Sequence, residues 1–117
     1  MGMFTVNLRV IGPNGLTEDV DALVDTGANR TALPASLLRR LGVAPQETSM
    51  FRTATEELVE LETGETFVEF EGRTKTVPVV FNADAAQPLL GATMLETFEL
   101  SVDPVQKRLV RIPGQLM

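Results

Sequence analysis

Phe4, Val6, Leu8 and Val10 alternate with Thr5, Asn7 and Arg9. This period of two predicts a half-buried β-strand. Gly12-Pro13-Asn14-Gly15 is a strong turn, and residues 16–24 form a second strand ending in Ala22-Leu23-Val24. The two strands should pair as a hairpin. Beyond Asp25-Thr26-Gly27, Thr31-Ala32-Leu33 reads as a short extended piece. Pro34 then opens a brief helix through Leu37, Leu38 and Leu41, with Gly42 as its stop. Such a helix is too short to stand alone and must pack on a sheet.

Residues 46–81 read as a set of strands. Glu57, Glu60, Glu62 and Glu65 alternate imperfectly with Leu58, Val59, Leu61 and Phe67, whereas Val68-Glu69-Phe70-Glu71 alternates well before a turn at Gly72-Arg73. Val77-Pro78-Val79-Val80-Phe81 is an apolar run, either buried or at a sheet edge because of Pro78. A loop at residues 82–88, Leu89-Leu90-Gly91, a short helix at about residues 92–98 and strands near residues 100–104 and 109–112 complete the chain. Many short strands, frequent turns and one or two short helices predict an all-β fold, a closed β-barrel. A length of 117 residues fits one domain, residues 1–117.

Composition narrows the chemistry. Hydrophobic residues are 44% of the chain, enough for a core. A formal charge of -6, with no concentrated basic stretch, argues against nucleic acid as a partner. The chain has no cysteine and no histidine. Thiolate nucleophiles, Ser-His-Asp arrangements and Cys- or His-ligated metals are therefore excluded. The spacing of the Glu-rich stretch fits no metal-ligand loop, so neither metal nor cofactor is expected. Carboxylates remain the candidate acids and bases. Met1-Gly2-Met3 lacks the charged and apolar regions of an export signal, and no segment reads as a membrane-spanning helix, so a cytoplasmic location is expected.

The run Ala22-Leu23-Val24-Asp25-Thr26-Gly27-Ala28 delivers an Asp from the end of an apolar strand into a tight loop. It resembles the active-site loop of the retropepsin-like aspartic proteases. Pro88-Leu89-Leu90-Gly91 is similar to the segment that crosses beneath that loop in the family, and Ala92-Thr93-Met94-Leu95-Glu96 to the helix that follows. Leu100-Ser101-Val102-Asp103-Pro104 and Lys107-Arg108-Leu109-Val110 look like the ending of bacterial single-domain members.

The resemblance implies the retropepsin-like acid protease barrel and an aspartic endopeptidase with Asp25, Thr26 and Gly27 as its catalytic motif. Two carboxylates at contact distance share one proton, because both cannot ionise cheaply. One serves as general base on a water, and the other polarises the scissile carbonyl. Only one Asp-Thr-Gly is present, and Asp19, Asp21, Asp84 and Asp103 lie in other settings. The second carboxylate must then come from a second copy, which makes the partner a homodimer mate. The first strand and the segment from Leu109 to Ile112 are candidates for further interface. Peptide or protein substrates would lie against Ala28, Asn29 and Leu89, beneath a hairpin flap at about residues 50–61 with Ala54 and Thr55 at its tip. Leu23 and Val79 would help line the apolar subsites.

Two departures from the retroviral pattern and one contrast with pepsin-like enzymes matter. The flap stretch has no glycine, unlike retroviral flaps, which implies a stiffer or shorter flap. Asn29-Arg30 stands where retroviral enzymes carry an Asp that binds substrate and supports the dimer. Ala28 stands where pepsin-like enzymes have a Ser or Thr hydroxyl on the carboxylate, so a less acidic optimum than pepsin's is expected. The alternative reading is a non-catalytic peptide-binding or dimerisation module that retains the fold.

Overall fold

The computed structural model describes residues 4–114 and residue 116; Met1-Gly2-Met3, read above as carrying no export signal, lies outside the described residues. Strands β1 (Thr5–Ile11) and β2 (Thr17–Val24) pair antiparallel, with Ile11 opposite Thr17. Their alternation buries Leu8, Val10, Val20, Ala22 and Val24 on one face. In the connecting loop Gly12 N–H donates to Leu16 O (2.9 Å) and Gly15 N–H to Gly12 O (3.0 Å). Gly15 occupies the left-handed region at φ 86, the position where a three-residue hairpin loop favours glycine. Gly12 is required for a different reason. A Cβ there would lie 1.7 Å from Leu41 O.

β3 (Thr31–Pro34) runs into helix α1 (Ala35–Arg40), which buries Leu37 and Leu38. Arg39 and Arg40, on the exposed side, pair with Glu62 and Glu18. The start of α1 is tied to a distant loop, because Ser36 N–H donates to Asp84 Oδ1 at 3.0 Å. That donated hydrogen bond, seconded by Arg40 and Arg39, holds the Asp84 carboxyl below its ordinary value. A depressed folded value contributes stability above the unfolded value of about 3.9, and the contribution is lost as pH falls through the folded value. Asp84→Ala should therefore lower Tm by a few degrees at neutral pH. The gap to the parent protein should close below about pH 4 in a thermal denaturation series.

β4 (Glu47–Arg52), β5 (Leu58–Phe70) and β6 (Arg73–Asn82) follow as antiparallel neighbours. Glu71 and Gly72, at φ 51 and 80, make the two-residue turn between β5 and β6. β7 (Leu89–Leu90) pairs parallel with β2 and antiparallel with β3. Helix α2 (Ala92–Thr97) leads to β8 (Leu100–Asp103) and β9 (Arg108–Arg111), a separate two-stranded sheet. The main sheet has the order β1-β2-β7-β3-β6-β5-β4, and β1 pairs again with β5 through Arg9, Val10 and Ile11. The architecture is thus mostly β with two short helices.

The core lies inside this ring of pairings, where Leu8, Leu33, Leu38, Leu90, Met94 and Phe98 are fully buried. Phe98 meets Phe70 edge to face at 6.5 Å, and the Arg73 guanidinium covers its ring at 5.5 Å. The apolar run of β6 is interior rather than at an edge. β5 pairs along one side of it, and β3 begins to pair on the other side only at Val79. Pro78 sits one residue before that contact, where β3 does not yet need an N–H from it. Among the described residues no helix is long and apolar enough to cross a membrane.

Candidate active site

Asp25 stands where the β2 ladder ends. Its N–H donates to Leu90 O at 3.0 Å, the last bond of the β2–β7 pairing. The chain then turns sharply. Gly27 N–H donates to Asp25 Oδ1 at 2.9 Å and Ala28 N–H to Asp25 O at 3.2 Å. The side chain mimics a backbone turn, as short Asp side chains do, and the first of these bonds fixes one carboxylate oxygen.

The loop is fastened from below by the start of α2. Ala92 N–H donates to Ala28 O (2.7 Å) and Thr93 N–H to Asn29 O (2.9 Å). Gly91 crosses so close under the loop that a Cβ would meet Arg30 O at 2.4 Å and Ala28 O at 2.9 Å. Beside it, the fully buried Thr31 accepts a hydrogen bond from Gly91 N–H (3.2 Å), and its hydroxyl points at Met94 Sδ (3.7 Å). Thr31→Val keeps the shape and leaves the Gly91 N–H without that acceptor. A loss of about 1–3 kcal/mol in chemical denaturation is expected.

Asp25 is half-buried and opens onto a cleft of about 700 Å³. Gly27, Ala28, Asn29 and Leu89 border it on the loop side, and Ala54 borders it on the hairpin side. Thr26 is exposed and is not among the lining residues. Thr55 also lies off the cleft, because its hydroxyl turns onto Thr53 Oγ1 at 3.1 Å; Thr53 and Glu56 line the cleft instead. Neither Leu23 nor Val79 lines it. Val79 belongs to the core with no exposed surface, and its neighbour Val80 faces the cleft.

The hairpin of β4 and β5 forms the opposite wall. Phe51 pairs with Val59, and both line the cleft, as does Leu61. Met50 and Leu58 take the other parity and are exposed. Sequence reasoning missed these wall residues, because Met50 beside Phe51 and Leu58 beside Val59 are apolar too and give no alternation to mark the cleft-facing side. The hairpin tip repeats the loop between β1 and β2. Thr53 N–H donates to Glu57 O (2.8 Å) and Glu56 N–H to Thr53 O (3.0 Å). Glu56, at φ 70, takes the left-handed place that Gly15 holds in the first loop. The tip thus reaches glycine geometry with a non-glycine residue, at a cost of order 1 kcal/mol.

The site thus presents a carboxylate at a strand end, with a backbone N–H on one oxygen, before an open cleft walled by a hairpin. The family profile described as "gag-polyprotein putative aspartyl protease" matches residues 14–97. The chain belongs to that family. This aspartyl protease family member also shares its fold with solved retroviral-type proteases. The EIAV protease complexed with the inhibitor HBY-793 superposes at TM-score 0.62 with 20% identity, covering 79% of this chain and 84% of that one. A retropepsin-like aspartic protease from Rickettsia conorii gives TM-score 0.60 and 23% identity, over 86% of this chain and 76% of that one. The retroviral protease-like domain of Ddi1 from Leishmania major gives TM-score 0.60 and 19% identity, over 95% and 89%. Comparison with curated proteins finds no sequence match.

Proposed function

We propose that this member of the family is an aspartic endopeptidase that works as a homodimer, with Asp25 of each copy forming the catalytic pair. The observation that carries the reading is Asp25 itself, at the strand end, with Gly27 N–H on one oxygen and the cleft before it. Family membership supports it. On this reading the ring of strand pairings is a closed barrel, one domain per copy, and the hairpin from residue 50 to residue 61 is the flap.

The chemistry follows. The two carboxylates hold one proton between them. The ionised one takes a proton from a bound water, whose oxygen attacks the scissile carbonyl carbon. The protonated one gives its proton to the carbonyl oxygen. Collapse of the tetrahedral adduct breaks the C–N bond, the nitrogen leaves with a proton from one carboxyl, and a hydroxyl of the adduct returns its proton to the other carboxylate, which restores the shared proton. Thr26, exposed beside Asp25, would exchange hydrogen bonds with a second copy of the loop. An extended peptide would lie between the loop and the flap, with Ala28, Asn29, Ala54 and Leu89 against it.

Dilution tests the dimer. Specific activity on an unstructured protein should fall on dilution, in step with dissociation followed by sedimentation. Constant specific activity of a sedimenting monomer would overturn the paired-Asp25 reading. Peptide binding with no turnover at any concentration would instead assign a non-catalytic module.

A further inference from the structure

The arginines of this chain fall into two groups. Arg9, Arg39, Arg40, Arg73, Arg108 and Arg111 each have a carboxylate within 3.9 Å. Arg30 and Arg52 have no such partner among the described residues, and both line the cleft that holds Asp25. Neither Lys75 nor Lys107 lines it. The chain carries 16 acidic residues against 10 basic ones, so carboxylates are in excess for pairing. In such a chain, two guanidinium groups that have no ion-paired carboxylate among the described residues, both bordering one concavity, are open to one from an incoming group.

The neighbouring groups sharpen the point. Arg30 follows Asn29 in the Asp25 loop, its backbone is pinned by the close approach to Gly91, and its side chain is exposed. Arg52 sits at the end of β4, where Nη1 reaches Glu56 O at 3.5 Å across the flap tip. That contact is to a neutral carbonyl and leaves the charge uncompensated. Two carboxylates also line the cleft. Asp25 is committed to the chemistry, and Glu56 lies at the flap tip without an ion pair to either arginine. The amides of Asn29 and Asn82 border the same space and carry further donors. Guanidinium presents two parallel N–H groups to a carboxylate and stays charged at any working pH.

We propose that the cleft selects peptides carrying Asp or Glu side chains near the bond to be cut, with Arg30 and Arg52 as the specificity-determining residues. The cleavage form of this inference rests on the protease reading above, whereas the binding form does not. A substrate carboxylate would replace the water around these guanidinium groups with a charge-assisted hydrogen bond. Such a bond discriminates a carboxylate from its uncharged amide isostere by roughly 10-fold or more. The preference should shrink as salt rises, since both arginines are exposed.

The test uses matched peptides in which Glu is exchanged for Gln at each position around a central apolar pair. The 117-residue protein is assayed for cleavage, and its Asp25→Asn variant for binding by fluorescence anisotropy. At low salt, the Glu peptide at one or more positions should be cleaved with kcat/KM about 10-fold or more above its Gln partner, and should bind the Asp25→Asn protein correspondingly tighter. Arg30→Gln or Arg52→Gln should reduce that ratio, and Arg30→Glu should invert it. Cleavage with equal rates for every Glu and Gln pair would overturn the specificity and leave the protease standing. Preferential binding of Glu peptides with no cleavage would uphold the specificity and remove the protease. A Glu preference untouched in both arginine variants would overturn the assignment to these residues.

Discussion

Asp25→Asn should lower the rate of peptide-bond hydrolysis by at least ~10³-fold while leaving stability and assembly close to those of the parent protein. The amide keeps the shape of the carboxylate and can still accept the Gly27 N–H now donated to Oδ1 at 2.9 Å. It cannot hold a negative charge or take a proton from water. On the homodimer proposal both copies carry the same sequence, so one substitution would remove both members of the pair. The other cleft carboxylate, Glu56, stands at the tip of the β4–β5 hairpin and offers no paired geometry of its own. Mixing adds a second readout. If each active centre needs two intact copies, a preparation with equal amounts of parent and variant chains should retain about a quarter of the activity, given random pairing. If each chain works alone, about half should remain. Parent-like cleavage by Asp25→Asn would remove Asp25 from the chemistry altogether.

Local signals in the sequence located most of the frame. Alternation over Phe4 to Val10 and the Gly12-Pro13-Asn14-Gly15 turn gave the first hairpin, and Pro34 with Gly42 bracketed α1. The carboxylate at the end of Ala22-Leu23-Val24 was equally legible, because a buried strand stopping at an Asp is a local pattern. Long-range packing was not. β5 runs unbroken for 13 residues, pairing with β4 over its first half and with β6 over its second. Where it passes from one partner to the other, at Leu61, Glu62 and Thr63, every residue is half-buried and the alternation dissolves. The run Val79-Val80-Phe81 contains no polar residue to mark a face. Its parity was set only by β3, which puts Val79 opposite Thr31 and leaves Val80 to the cleft. Thr31 gave even less warning. A hydroxyl at the head of a short strand is unremarkable until Gly91, sixty residues on, arrives beneath it.

That crossing supplies the second large effect. Gly91→Ala should cost about 3 kcal/mol or more in chemical denaturation, and whatever folds should lose roughly 10²-fold in activity. The backbone of Gly91 is extended at φ -97 and ψ 176, a conformation any residue adopts, so no loss of conformational freedom enters. The obstacle is space. The added methyl would meet Arg30 O at 2.4 Å, Arg30 C at 2.5 Å and Ala28 O at 2.9 Å, all of them backbone atoms with no rotamer to change. Relief requires the loop to rise or α2 to sink, and either movement stretches Ala92 N–H to Ala28 O and Thr93 N–H to Asn29 O. Those bonds set the height of the loop that carries Asp25, so the steric insult reaches the carboxylate through the backbone. Gly72→Ala separates this from a general intolerance of alanine. Gly72 sits at φ 80 in open space, so its cost is conformational alone, about 1 kcal/mol, with activity unchanged. Equal stability of the Gly91→Ala and parent proteins would mean that the loop is not seated on Gly91, and the height of Asp25 above the core would then need another cause.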